Sequence, residues 1–335
     1  MSKILITGTA GFIGFHLANS LLSEGFNIHG YDGLTDYYDV TLKNKRRSIL
    51  LKYPNYSETI GKLEDDKKLD TLAEKFKPDI IIHLAAQAGV RYSLENPRSY
   101  INSNIVGTFN IMEIARKYNI NHLLMASTSS VYGANTDMPF SENDKTDTQL
   151  TIYSATKKSN ESMAHSYSYL WKIPTTMFRF FTVYGPWGRP DMALFKFVSA
   201  ILDNKPIDIY NNGEMFRDFT YIDDLVNGIK LLINIPPKVS AQNIVNNNEY
   251  STIAPFRIIN IGNSKKVKLL DFIEAIERII GKKAIRNYMP MQMGDVHATW
   301  SDASLLKKLT NYNPQTNFED GILKFVKWYR EYYNV

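Results

Sequence analysis

Lys3-Ile-Leu-Ile-Thr-Gly-Thr-Ala-Gly-Phe-Ile-Gly14 is the stretch that decides the fold. Lys3 to Thr7 carries the unbroken apolar run of a strand buried on both faces. Phe12 to Glu24 sets apolar residues at helical spacing and halts at Gly25, which predicts a helix. Between strand and helix stand Gly8, Gly11 and Gly14. A tight turn, a close approach of backbone to a pyrophosphate, and close packing of helix on strand each exclude a Cβ. The helix amino terminus then supplies free N–H groups and a positive dipole end to an anion. Three glycines could punctuate any α/β loop, but the strand before them and the helix after them specify a dinucleotide site.

The alternation continues outward. Asn27 to Tyr31 reads as a second strand, Lys67 to Phe76 as a helix and Asp79 to Leu84 as a strand. Ile101 to Tyr118 reads as one long helix and His122 to Ala126 as a further strand. Continuous apolar strands separated by helices predict an α/β fold with a Rossmann-type doubly wound parallel sheet, whose ligands sit at the carboxyl ends of the strands. Asp32 ends the second strand. A carboxylate there accepts hydrogen bonds from adenosine ribose hydroxyls and repels a 2′-phosphate, favouring NAD over NADP; a loop-capping Asp is the alternative. After about residue 180 prolines and glycines cluster, from Gly185 to Pro190. Asn234 to Tyr250 reads as a surface loop or insertion, Arg257 to Ile261 as one more strand and Leu269 to Ile280 as an amphipathic helix. The expected division is a first domain over 1–180, joined by parts of 218–262, and a smaller mixed α/β carboxyl-terminal domain over 181–335, built from discontinuous segments.

Composition excludes several chemistries. The chain has no cysteine, so thiolate catalysis, disulfides and Cys-based metal sites are ruled out. His16, His29, His83, His122, His165 and His297 show no paired ligand spacing, so no metal centre is expected. The balance of +5, from 39 basic and 34 acidic residues, is scattered and does not call for a nucleic-acid partner. No stretch approaches the ~20 apolar residues of a membrane span, so no membrane partner is expected. Met1-Ser-Lys leads straight into the first strand without a leader pattern, which sets a cytoplasmic expectation.

Tyr153-Ser-Ala-Thr-Lys157 places a phenol and an ammonium one helical turn apart. A nearby positive charge stabilises phenolate and is expected to lower the Tyr153 pKa, making it an acid/base near neutral pH. Alone, the pair could be an exposed helical pair. Upstream, Ser127-Thr128-Ser129-Ser130 follows a strand at its carboxyl end, where nicotinamide and substrate should meet. A hydroxyl there can hold a reacting carbinol in line with Tyr153; a Ser-rich turn is the alternative. Together they point to hydride transfer at a carbinol carbon.

At these residues the chain resembles the extended short-chain dehydrogenase/reductases, and among them most closely the UDP-glucuronate 4-epimerases. The resemblance runs from residue 3 to about 330. It rests on Gly8 to Gly14, His83-Leu-Ala-Ala-Gln-Ala-Gly-Val-Arg-Tyr-Ser93, Asn104-Ile-Val-Gly-Thr108, Ser127 to Gly133, and Tyr153 with Lys157. It continues through Arg179-Phe-Phe-Thr-Val-Tyr-Gly-Pro-Trp-Gly-Arg-Pro-Asp-Met-Ala193, Arg217-Asp-Phe-Thr220 and Gly294-Asp295-Val296. The resemblance implies Thr128 as hydroxyl partner, Tyr153 as acid/base and Lys157 as the bridge from Tyr153 to the nicotinamide ribose. For NAD it implies contacts from Gly8, Gly11, Phe12, Ile13, Gly14, Asp32 and Leu63. Leu84, Ala85, Ala86, Asn104, Phe180 and Val183 complete that set with Tyr153 and Lys157. For a UDP-sugar it implies Val90, Arg91, Thr128, Ser129, Ser130, Tyr153 and Thr182, then Arg189, Ala193, Tyr210, Arg217 and Asp295. Arg217 is expected on the diphosphate, where a guanidinium fork matches paired oxygens. Arg91 has a rim or helix-capping role as its alternative, and Arg189 a structural one in its loop.

Within that resemblance, hydride passes from C4 of the sugar to NAD, the 4-keto sugar turns its other face, and the same hydride returns. Oxidising C4 of a hexuronate makes a β-keto acid, which loses CO2 when its carboxylate bond lies perpendicular to the carbonyl plane. Thr182, Arg189 and the hydroxyls of Thr128 to Ser130 are expected to hold the carboxylate out of that alignment. A decarboxylase of this group carries Glu beside the catalytic Thr, and a 4,6-dehydratase an Asp-Glu pair; here Ser129 and Ser130 stand there. Three positions depart from or sort within the pattern. Lys62 replaces the usual Asp after the third strand, Gly33 replaces Asn after Asp32, and Gln292 sits where plain galactose epimerases carry Arg. A 4-epimerase of a neutral or N-acetylated UDP-hexose, and a catalytically silent NAD-binding scaffold, are the competing readings. Apolar faces on 100–118 (Ile101, Ile105, Ile111, Ile114) and 153–171 (Met163, Tyr167, Leu170) are expected to pair in a homodimer, or else to serve an internal core.

Overall fold

Ile4, Leu5 and Ile6 are completely buried, as an apolar run in a central strand should be. The computed structural model describes residues 2–239 and 251–335, so most of the expected loop 234–250 lies outside the described residues. The strands are β1 (Lys3–Thr7), β2 (Asn27–Asp32), β3 (Tyr56–Ile60), β4 (Ile80–His83), β5 (His122–Thr128), β6 (Thr175–Phe180) and β7 (Thr182–Tyr184). They continue as β8 (Pro206–Tyr210), β9 (Phe216–Arg217), β10 (Phe219–Tyr221), β11 (Phe256–Ile261), β12 (Val267–Lys268), β13 (Ile285–Met289) and β14 (Ala298–Thr299). The helices are α1 (Phe12–Ser23), α2 (Val40–Leu50), α3 (Asp66–Phe76), α4 (Tyr92–Glu95), α5 (Pro97–Tyr100), α6 (Gly107–Lys117) and α7 (Ile152–Trp171). Beyond them lie α8 (Ala193–Leu202), α9 (Ile222–Ile233), α10 (Leu269–Ile280), α11 (Ser304–Thr310) and α12 (Phe318–Tyr333).

Seven strands form one parallel sheet in the order β11-β6-β5-β4-β1-β2-β3. The order reverses between β1 and β4, which opens the crevice for a ligand at their carboxyl ends. α1 and α9 pack with the strands into one core on one face, around Leu17, Leu21, Leu225 and Ile229. α3 and α6 cover the other face through Leu69, Leu72, Ile111 and Ile114. The seventh strand comes from Phe256–Ile261, beyond the irregular middle of the chain.

Smaller sheets pair β7 with β10, β8 with β13, and β9 with β12 and β14. α8, α10 and α12 bury aromatic faces against them. Phe219 and Phe272 stack with centroids 3.9 Å apart and planes 2° apart.

Two expectations change. The long helix 101–118 is broken by wide π-helical turns over Ile101–Val106 before α6 begins. Asn104 in that segment is fully buried and bonds the Gln87 backbone and the Thr156 hydroxyl. Ile111 and Ile114 belong to the internal core and offer nothing to a partner. Ile101, Val106, Phe109, Tyr169, Leu170 and Trp171 are exposed on segments 101–118 and 153–171. Among the described residues no helix is long and apolar enough to cross a membrane.

Phe272→Ala removes one of two stacked rings from a fully buried site. It should cost about 3–5 kcal/mol of unfolding free energy, read from urea denaturation.

Candidate active site

A cavity of about 670 Å3 runs across the switch point, from the glycine loop to the ends of β5 and β6. The glycines are sterically compelled. Gly8 has φ +83°, and a Cβ on it would lie 2.8 Å from the Ala85 nitrogen. A Cβ on Gly14 would lie 2.0 Å from the Gly8 carbonyl oxygen. Gly11 caps α1 without any side-chain hydrogen bond, so the first-turn N–H groups stay available to an anion. This cradle fits a dinucleotide pyrophosphate.

Asp32 both shapes the loop and lines the cavity. Its Oδ2 accepts from the Ala10 N–H at 2.9 Å and its Oδ1 from the Leu34 N–H at 2.9 Å. The capping and cofactor readings of this residue are therefore compatible. Leu63 is pinned at the edge by Asn110, whose amide donates to its carbonyl at 2.9 Å. Lys62 also lines the cavity and gives its carbonyl to the Tyr31 hydroxyl. A Cβ on Gly33 would meet only ordinary contacts, the nearest 3.6 Å away, so sterics do not demand glycine there.

Tyr153 sits in the first turn of α7, held by a capping box between Thr151 and Ser154. Thr128 ends β5 and accepts from the Ser130 N–H at 3.2 Å, which orients the following turn. Tyr153 and Lys157 line the cavity with Thr128, Ser129 and Ser130. The expected drop in the Tyr153 pKa is not met in the chain by itself. Burial raises it, while hydrogen bonding with Thr128 and the Arg189 charge oppose the rise. Lys157 Nζ donates to the Ala126 carbonyl at 2.7 Å, and burial lowers its own pKa to about 8.

Beneath this pair lies a buried network that sequence reasoning missed. The Ser127 hydroxyl donates to Glu161 Oε1 at 2.6 Å. Arg179 clamps both Glu161 oxygens, Nε at 3.0 Å and Nη2 at 2.9 Å. Burial pushes Glu161 up, but the Arg179 charge holds it below its ordinary value. The available signal was Glu161 four residues after Lys157 on the same helix face. His83 is likewise internal. Its ring bonds Thr7 and Thr108, and burial lowers its pKa to about 3, keeping it neutral.

The remaining expected residues divide. Phe12, Ile13, Leu84, Ala85, Ala86, Phe180 and Val183 line the cavity on the cofactor side, and Val90, Thr182 and Arg189 on the substrate side. Asn104 does not line it. It accepts from the Gln87 N–H at 2.8 Å and donates to the Gln87 carbonyl and Thr156, so it positions the lining loop from behind. Ala193 starts α8 beside the lining residue Met192, outside the wall itself. Arg91, Tyr210, Arg217 and Asp295 also fall outside the wall and form a cluster of their own. Arg91 lies over the Tyr210 ring at 4.6 Å, and Arg217 Nη2 donates to Asp295 at 2.7 Å. A Cβ on Gly294 would lie 2.7 Å from Thr151 Cγ2 and 3.7 Å from Val90 Cγ1, so the segment that carries Asp295 runs beside the cavity-lining Val90. Arg189 is not a free clamp: its Nε donates to Asp191 Oδ1 at 3.0 Å and its Nη2 to Oδ2 at 2.5 Å.

A profile of the GDP-mannose 4,6-dehydratase family matches residues 5–325. The chain belongs to the epimerase and dehydratase family of extended short-chain dehydrogenase/reductases. Within this family it is 53% identical to a probable UDP-glucuronate 4-epimerase of Rhizobium meliloti (strain 1021) over 335 residues, covering 99% of this chain and 98% of that protein. It is 42% identical to UDP-glucuronate 4-epimerase 4 of Arabidopsis thaliana, covering 99% of this chain and 76% of that one. Its fold is similar to a Bacillus cereus UDP-glucuronic acid 4-epimerase solved with UDP-glucuronic acid and NAD. That likeness has a TM-score of 0.88 at 32% identity, covering 99% of this chain and 100% of that one.

The buried Lys157 gives this family member a measurable pH signature. The unfolded lysine keeps its proton up to its ordinary value of 10.5, whereas the folded one releases it near 8. Between those values the unfolded state binds more protons, so this group adds stability as pH rises; below about 8 its burial penalty is constant. Relative to wild type, Lys157→Met should therefore lose ground in urea denaturation between pH 8 and 10. A stability difference independent of pH across that window would contradict the buried-ammonium assignment.

Proposed function

We propose that the chain interconverts UDP-glucuronate and UDP-galacturonate by inverting C4 through a 4-keto sugar, with NAD held tightly and regenerated in each turnover. The observation that carries this reading is the composition of the cavity beside Tyr153. Thr128, Ser129, Ser130, Thr182 and Arg189 supply hydroxyls and a cation there. Among the described residues the carboxylates lining the cavity are Asp32, which ends β2, with Asp36 and Glu64, which follow β2 and β3, all at the other end. A dehydratase needs acid groups beside Thr128 to move protons at C5 and C6, and none stands there.

NAD held in the glycine-loop cradle would supply the hydride acceptor and donor for C4. Tyr153 takes the C4 hydroxyl proton as hydride leaves C4, and returns a proton to O4 when hydride re-adds to the opposite face of C4. Thr128 holds the same hydroxyl and the Tyr153 oxygen in one line. The Lys157 ammonium, anchored on Ala126, supplies positive charge behind the phenol and a donor for ribose hydroxyls. Ser129, Ser130, Thr182 and Arg189 fix the C5 carboxylate away from the perpendicular that would expel CO2. Arg217 serves the diphosphate, with Arg91, Tyr210 and Asp295 around the nucleotide. In this reading residues 1–180, with parts of 218–262, hold NAD, and 181–335 hold the nucleotide sugar. The protein acts in the cytoplasm as a homodimer, joined through Ile101, Val106, Phe109, Leu170 and Trp171.

Mass spectrometry of the product from UDP-glucuronate should show unchanged mass and a new C4 stereoisomer; loss of CO2 would replace the reading with decarboxylation. Tyr153→Phe should cut turnover by about 10²–10⁴-fold while NAD stays bound. Arg189→Ala should raise KM for UDP-glucuronate at least ~10-fold, the scale of a charged hydrogen bond, and leave UDP-glucose binding unaffected. Equal effects on both sugars would remove the carboxylate from the role of Arg189.

A further inference from the structure

Arg46 on α2 is completely buried. Its Nη1 donates to the Ala10 carbonyl at 2.8 Å and the Tyr38 hydroxyl at 2.9 Å. Its Nη2 donates to the Trp187 carbonyl at 2.6 Å and the Gly188 carbonyl at 3.3 Å. Its Nε is buried without any partner. Every acceptor it finds is neutral. Two other enclosed guanidiniums behave differently: Arg179 is clamped by Glu161 and Arg189 by Asp191. A buried cation without a carboxylate is costly, so its retention needs a balancing anion or a positional role.

None of the charged groups around it pairs with it directly. Asp32 accepts from the Ala10 and Leu34 N–H groups and makes no hydrogen bond with the guanidinium. Lys43 feels Asp32 and Asp36 as attractive, and Arg46 and Arg189 as repulsive, so it adds a like charge. Asp191 is taken by Arg189. Ala10 is thus gripped from both sides, its N–H by Asp32 and its carbonyl by Arg46. The next residue is Gly11, whose uncapped helix start opens on the cavity.

We propose that Arg46 is a positioning residue that couples the two halves of the site. Its charge is balanced by the cofactor pyrophosphate across the glycine loop, and its fork ties that loop to Trp187 and Gly188, immediately ahead of Arg189. Filling the dinucleotide site thereby steadies the loop that presents Arg189 to the sugar. This inference rests on the reading that NAD occupies the cavity. The coupling needs both charge and fork: only a guanidinium reaches Ala10 and the 187–188 carbonyls together.

Calorimetry on NAD-stripped protein separates the two parts, with NAD and UDP-glucuronate as probes. Arg46→Met keeps the volume and removes the charge, and should weaken NAD at least about tenfold. Arg46→Lys keeps the charge and loses the fork. It should bind NAD within about threefold of wild type yet weaken UDP-glucuronate about fivefold or more in the NAD-loaded protein. Unchanged NAD affinity in Arg46→Met would overturn the charge balance, as would an equal loss in Arg46→Lys. Where Arg46→Met does not fold, Arg46→Lys decides alone: unchanged UDP-glucuronate affinity sinks the coupling. Wild-type protein that bound no NAD would instead reject the underlying reading of the cavity.

Discussion

The contact between α1 and the loop that precedes it sets the rest of the molecule. With hydrogen alone on Gly14, the helix rides against the Gly8 carbonyl, where a Cβ would need to approach to 2.0 Å. That closeness aims an uncapped helix start along the crevice between β1 and β4. The same turn brings Gly8 against the backbone of Leu84 and Ala85, so the loops after β1 and β4 share one wall. Asn104 then fastens the continuation of that wall through Gln87 to Thr156, on the helix that carries Tyr153 and Lys157. Backbone contacts and the Asn104 side chain thus connect the glycine loop to the helix that carries Tyr153 and Lys157.

Below that chain, buried polar groups fix the chemistry. Ser127, Glu161 and Arg179 come from β5, α7 and β6, and their bonds lock the helix to the carboxyl ends of two strands. Breaking a buried pair of this kind leaves an uncompensated charge and costs about 3–5 kcal/mol. The pair also leaves a carboxylate within electrical reach of Lys157, which raises the proton affinity that burial takes away. Stability and acid/base competence therefore depend on the same residues.

What the sequence made legible was local. β1, α1, β2, β4, β5 and α10 follow from unbroken apolar runs and helical spacing, and the structure places each within a residue or two of the reading. Gly8, Gly11, Gly14, Thr128, Tyr153 and Lys157 stand out by their spacing along the chain, and the structure brings them to one cavity. The misreadings are non-local. Ile111 and Ile114 look like any surface stripe until α3 is seen to cover them. The π turns around Asn104 answer to Gln87 and Thr156, 17 and 52 residues away. Arg46 carries no signal in its neighbourhood, since its partners are at Ala10 and Trp187.

Arg189 shows why spacing alone could not finish the argument. The sequence offers it either a hold on the substrate carboxylate or a structural role in its loop, and Asp191, two residues on, bonds its Nε and Nη2. The Tyr37 hydroxyl donates to the same carboxylate at 3.2 Å and carries the contact to the cofactor side of the cavity. An arginine fixed at Nε and Nη2 keeps Nη1 for another acceptor and loses the freedom to swing away. For a reaction that must hold one carboxylate angle against decarboxylation, a clamped donor is worth more than a mobile one, because the angular error it permits is smaller. Under the proposed function, the ion pair with Asp191 is the feature that suits Arg189 to that task.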